Sequence, residues 1–176
     1  KILLVFPTHS FEDCDDLYDF NQFSQCIDEM AKDYDTVLIS MIGYDIQQGF
    51  DKKYRNKGYR IVSSGTRNDP YFLNRQRDLM ELADMTISNN IGTHIGYSIC
   101  LGTPHYIFNQ DITSIKKAAS AQASDHLQAI RDREYAEIKA VFNSREPIIT
   151  PEQIAVVKKY WGPFEIKPKF YANTQE

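Results

Sequence analysis

Five short apolar runs, rich in β-branched and aromatic residues and separated by stretches of different period, constrain the fold of this chain most. They span Ile2 to Phe6, Thr36 to Ile42, Arg60 to Ser63, Met85 to Ser88 and His105 to Phe108. Runs of this length bounded by turn residues read as strands. Between the first two, Leu17, Phe20, Phe23, Ile27 and Met30 recur every three to four positions, which predicts a helix with one apolar stripe. Between the third and fourth, Asp69 and Pro70 form a helix-start signal, followed by Phe72, Leu73, Leu79, Met80 and Ala83 on one side. Residues 44–57 are less periodic and contain Gly49, so a weaker helix is expected there, stopped at Gly58.

Strands that alternate with helices pair in parallel, because each right-handed crossover returns the chain to the same end of the sheet. The expected fold class is α/β: a Rossmann-like parallel sheet of about five strands in the order 3-2-1-4-5, with helices on both faces. A chain of 176 residues can bury such a core without disulfides or metals. Residues 120–143 keep Leu127, Ile130, Ile138, Val141 and Phe142 at helical spacing, an amphipathic surface helix, and Thr150, Pro151 and Gln153 announce a shorter one. As domains, residues 1–112 read as the core and 113–162 as helices packed on it. Residues 163–176, with Pro163 and Pro168, read as an extended tail.

Charge and cysteines bound the partners. The net charge of -4 supplies no field for nucleic acid, and no run approaches the roughly 18 apolar residues of a membrane span. Cys14, Cys26 and Cys100 form no Cys-x-x-Cys pair, and their odd number points to a reducing cytoplasm. The first strand begins at the first residue with no Met before it, so the chain is expected to be part of a longer protein.

In an open α/β sheet the ligand crevice forms at the carboxyl ends of the central strands whose connections run to opposite faces, here the first and fourth. After the fourth comes Ser88-Asn89-Asn90-Ile91-Gly92-Thr93-His94-Ile95-Gly96-Tyr97, a polar turn that opens a short helix. Unpaired amides and the positive end of the helix dipole make an anion site there, with Gly92 letting a phosphate approach the backbone. Ser88 and Thr93 add hydroxyl donors, and His94 is placed to donate to a phosphate or leaving-group oxygen. The same residues also fit a structural role, in which Ser88, Asn89 and Asn90 cap the helix and Gly92 relieves crowding. On the opposite lip, Pro7-Thr8-His9-Ser10 brings a second imidazole and two hydroxyls. The third-strand loop, Ser63-Ser64-Gly65-Thr66-Arg67-Asn68-Asp69, borders the crevice. Arg67 would either pair with a phosphate or be solvated, and Asp69 reads as a cap.

Other polar residues are expected elsewhere. His105 starts the fifth strand and should lie far from the crevice, and His126 sits in a charged surface helix. The carboxylates of Glu12, Asp13, Asp15 and Asp16 lack regular ligand spacing and fit a helix N-terminus better than a cation. Neither a metal nor a cofactor is expected.

The strand, Ser/Gly turn and helix at 88–93, followed by Gly102-Thr103-Pro104, resemble the C-terminal, donor-binding half of GT-B fold glycosyltransferases and sugar-nucleotide 2-epimerases over roughly 1–110. His9-Ser10, Gly65-Thr66-Arg67, the run from Ser88 to Tyr97 and Pro104-His105-Tyr106 are similar to proteins of bacterial capsule and surface-polysaccharide synthesis. The resemblance implies a nucleotide-diphosphate sugar as ligand, its diphosphate at Gly92, Thr93 and His94 and its nucleoside near 64–68. His9 and His94 become the candidate catalytic residues. Thr8, Ser10, Gly65, Thr66, Arg67, Ser88, Asn89, Asn90, Gly92, Thr93 and Tyr97 become the candidate contacts. It also implies a separate N-terminal lobe, a saccharide acceptor and, through other regions, peripheral attachment to a membrane. Where many members of that superfamily carry a ribose-holding glutamate, this chain has Gly96, Tyr97 and Ser98. Two other readings stay open: an epimerase or hydrolase of nucleotide sugars, and a binding module that docks through the helices at 120–161.

Overall fold

The structure, a computed structural model, describes residues 1–10, 14–66, 68–116 and 125–169. The strands are β1 (Ile2–Phe6), β2 (Cys14–Tyr18), β3 (Thr36–Ser40), β4 (Arg60–Val62), β5 (Met85–Ser88), β6 (His105–Ile107) and β7 (Ile112–Lys116). The helices are α1 (Phe20–Met30), α2 (Gly43–Gln47), α3 (Lys52–Arg55), α4 (Phe72–Leu82), α5 (Thr93–Cys100), α6 (Asp125–Val141) and α7 (Pro151–Trp161).

Five strands form one parallel sheet in the order β4-β3-β1-β5-β6. These are the five runs expected from the sequence, in the expected spatial order; β2 intervenes in the chain and shifts the labels. Alternation along β1 divides the core. Leu3 and Val5 pack with Phe23, Ile27 and Met30 of α1, while Leu4 and Phe6 face Met80, Ala83 and Leu101. A third cluster joins Ile95 and Ile99 of α5 to Ile138, Phe142, Val156 and Val157, which fixes the C-terminal helices to the sheet domain.

The detail departs from expectation in several places. Leu17 belongs to β2, not to the helical stripe, and is 53% exposed; the helix starts after Asp19, whose carboxylate accepts from the amides of Asn21 and Gln22. Asp15 and Asp16 therefore sit on a strand, not at a helix N-terminus, and 11–13 lie outside the described residues. β2 pairs antiparallel with β7 across most of the chain's length, a two-stranded sheet beside the main one. The weak helix at 44–57 is two short ones separated by Gly49, which adopts φ +77, and Gly58 at φ +84 ends the second. Asp69 caps the turn before α4, accepting from the Tyr71 amide 2.9 Å away, and also holds Arg75.

Beyond the sheet, Thr150 and Gln153 form a reciprocal capping box at the start of α7. α6 is less of a surface helix than expected, since Ile138 is buried and Phe142, just past its end, is fully so. The His126 side chain lies outside what is described. The tail to residue 169 is extended against the body, with the Lys167 amide donating to the Cys100 carbonyl at 2.9 Å. The remainder of the expected tail, 170–176, lies outside the described residues. All three cysteines are free thiols, and among the described residues no helix is long and apolar enough to cross a membrane.

The α5–α7 contact depends on Gly96, where an added Cβ would stand 2.8 Å from Trp161 Cγ and 3.2 Å from its Cβ. These atoms are at the base of the indole and cannot swing away. Gly96→Ala should therefore destabilise the domain by about 1–3 kcal/mol through overpacking, despite alanine's better helix propensity. Urea unfolding checks this, and an unchanged midpoint would exclude the close contact.

Candidate functional site

The carboxyl ends of β1, β3, β4 and β5 all open into one cavity of about 930 Å³. Its two lips are the expected ones: Thr8, His9 and Ser10 after β1, and Asn90, Ile91, Gly92, Thr93 and His94 after β5. Two hydrogen bonds, one buried and one half-buried, hold them together. The Thr8 amide donates to Asn89 Oδ1 at 2.6 Å, and Asn90 Nδ2 donates to Thr8 Oγ1 at 3.0 Å. A third bond, from the Ser10 amide to Asp45 Oδ1 at 3.2 Å, ties the β1 lip to α2. The β3 and β4 loops are joined where the Gly43 amide meets the Gly65 carbonyl at 3.2 Å.

Four expected contacts do not line this cavity. Ser88 is buried beneath the turn, its hydroxyl donating to the Asn90 carbonyl at 2.7 Å. Asn89 is equally buried and serves Thr8. Gly65, at φ +94, turns its loop, and a side chain there would meet Asp69 and Arg75. Tyr97 is 41% exposed one helical turn beyond the lip and is absent from the cavity wall. Thr8, His9, Ser10, Thr66, Asn90, Gly92, Thr93 and His94 do line it, and Arg67 lies outside the described residues.

The role expected of Gly92 also changes. With φ -163 it is ordinary extended backbone, but a Cβ there would lie 2.8 Å from Cε1 and Nδ1 of His94. The missing side chain makes room for the His94 ring. That ring stacks on Phe6 with centroids 5.0 Å apart. Burial, with the neighbouring His9, pushes the His94 pKa from 6.5 down to about 3, the bond to the Asn90 carbonyl opposing. A ring held neutral is no ready proton donor to a leaving group, the part first expected of it.

His105 lies much nearer than expected. It begins β6, yet its ring reaches back between β5 and α5, with Nδ1 2.7 Å from Thr86 Oγ1 and Nε2 3.0 Å from Ser88 Oγ. Its centroid is 5.4 Å from that of His94. Burial and His94 hold its pKa well below the ordinary value.

Sequence reasoning did not single out the β3 exit, although Met41, Ile42, Gly43 and Tyr44 form one wall. The rule that places the crevice at carboxyl strand ends applies to β3 as well, and Gly43, three residues after Ser40, was the available signal. Ser64 was assigned to a nucleoside loop only in outline; it is 5% exposed, and its Oγ has no hydrogen-bond partner. Among the described lining residues Asp16 carries the one full charge, and the rest of the polar surface is hydroxyl, carboxamide, imidazole and backbone. Beside it, Asp45 is buried with Asp15 and Asp16 near, and burial first of all raises its pKa to about 6. No group of three or more potential metal ligands occurs among the described residues.

Comparison with protein-family models, with curated proteins and with solved structures finds no match for this chain.

Because the folded His94 resists protonation, the stability it contributes is complete above the unfolded value of 6.5 and is lost as pH falls toward about 3. His94→Gln should flatten that part of the stability–pH curve, measured by urea midpoints. A slope identical to that of the parent would show the imidazole to be freely solvated.

Proposed function

We propose that this chain is the donor-binding lobe of a glycosyltransferase that takes a nucleotide-diphosphate sugar for bacterial surface-polysaccharide synthesis. The observation that carries this reading is a single cavity bounded by the exits of β1, β3, β4 and β5, with the start of α5 as one lip. A cavity of about 930 Å³ lies at the upper end of the ~300–1,000 Å³ typical of small-molecule sites, large enough for a nucleotide sugar.

The electrostatics limit how a diphosphate would be held. With Asp16 nearby and no lysine or arginine among the described lining residues, the first-turn amides of α5 and the Thr93 hydroxyl are the described groups that would meet its charge. Gly92, the residue before the helix, provides no side-chain cap, and the Ile95 amide of the first turn donates to the Gly92 carbonyl at 3.2 Å, so the donors meant here are the amides of Thr93 and His94. Such donors act in catalysis by stabilising the diphosphate as the glycosidic bond breaks, when its negative charge grows. His9, on the other lip, is beside the bond to be broken in this arrangement. The acceptor and the group that deprotonates it belong to the second lobe, and this lobe by itself is expected to bind but not to transfer.

Titration calorimetry of the chain with UDP, GDP and CMP sugars tests the proposal. One nucleotide class should bind, and Thr93→Pro, which leaves the next amide in place but removes one donor and the hydroxyl, should weaken it about tenfold or more. Absence of heat and of thermal stabilisation with every class would refute the reading.

A further inference from the structure

The β1 lip is fastened at Ser10, and one of its two fastenings can titrate. The Ser10 hydroxyl accepts from the Asp16 amide of β2 at 3.2 Å, a bond without an ionisable atom. The Ser10 amide donates to Asp45 Oδ1 of α2, also at 3.2 Å, in a buried place. Asp45 is 3% exposed, and this amide is the one hydrogen-bond donor that its side chain meets among the described residues. A carboxylate has lone pairs for about four donors, so its charge is poorly compensated where water is scarce.

A small cavity of about 140 Å³ adjoins this joint, and Asp15, Asp16 and Tyr18 of β2 and Lys53 of α3 line it together with Asp45. Tyr54 of α3 also stands near the carboxyl group. Lys53 does not pair with Asp45. Its ammonium lies over aromatic rings, 4.4 Å from the centroid of Tyr18, 5.0 Å from Phe20 and 5.6 Å from Tyr54, and it makes no ion pair among the described residues. Two carboxylates thus face Asp45 against one unpaired cation. Burial foremost, with Asp15 and Asp16 adding to it, raises the Asp45 pKa to about 6, against the opposing effects of the Ser10 bond and Lys53. A hydrogen bond to a carboxylate is roughly twice as strong as one to a neutral acceptor, so the proton that relieves the buried charge also weakens the hold on Ser10. We propose that Asp45 is a titratable positioning residue, a latch that holds the β1 lip when ionised and loosens it when protonated. The latch is closed at neutral pH and opens as pH falls through about 6. Since Thr8, His9 and Ser10 wall the large cavity, its shape answers to proton concentration whichever ligand it takes.

Carbon-13 NMR of the Asp45 carboxyl and hydrogen exchange at the Ser10 amide, both on the whole chain without ligand, test the latch. The carboxyl should titrate with a midpoint near 6, well above the ordinary 3.8, and the Ser10 amide resonance should move with the same midpoint. Corrected for the intrinsic pH dependence of exchange, Ser10 should be about fivefold less protected at about pH 5 than at about pH 7.5. Asp45→Asn, which offers a neutral carbonyl at every pH, should show the lower protection throughout and lose the transition. His9→Gln, which removes the titratable neighbour of Ser10 in the chain, should keep it. A carboxyl that titrates near 3.8, a Ser10 amide indifferent to it, or a transition that survives in Asp45→Asn would each overturn the latch. The first two outcomes are read in the parent protein and stand even if the variant fails to fold. None of them depends on whether a nucleotide sugar binds.

Discussion

The hydrogen bond from the Thr8 amide to the Asn89 side chain, 2.6 Å long and shielded from water, is the contact on which the geometry of the cavity rests. β1 and β5 are neighbours in the sheet, but their chains part as soon as the strands end. A buried amide without an acceptor would cost about 1–3 kcal/mol, so the two exits are held to one separation. Asn90 adds a second tie through its side chain, and Asp45 anchors the same lip from α2. The lips are thus fixed by bonds to one another and to α2.

Those surfaces are unusual for the binding of a highly charged group. Hydroxyls and carboxamides outnumber ions, and burial holds the His94 imidazole uncharged. A lining of this kind suits a ligand that brings many hydroxyls and concentrates its charge at one point. In the proposed function that point is the first turn of α5, where the amides supply the compensation that side chains do not.

Much of the architecture was legible because local period and global pairing agree. The stripe of Phe23, Ile27 and Met30 could bury itself only against a sheet, and the alternation along β1 supplied two faces to cover. The pair β2 and β7 was not legible, since its partners are remote in sequence and neither strand buries a face that would mark it. Leu17 illustrates the trap: it continues the helical spacing by coincidence and is exposed on a strand. In the site, the crevice and both lips followed from strand order. The division of labour within the β5 turn did not, because Ser88, Asn89 and Asn90 look alike on paper and differ only in which way each side chain turns. His105 was misplaced because a backbone position does not tell how far a side chain reaches back.

The clasp of α5 by α7, with Gly96 set against Trp161, has a consequence for how the protein is made. The helix bearing the cavity's lip emerges from the ribosome well before the segment that covers its outer face. Until that segment follows, Ile95 and Ile99 lack their apolar cover. Assembly of the pocket is accordingly a late event in biosynthesis, completed after the sheet to which it belongs, and a nascent chain stalled short of Trp161 would present an apolar flank for chaperones to bind.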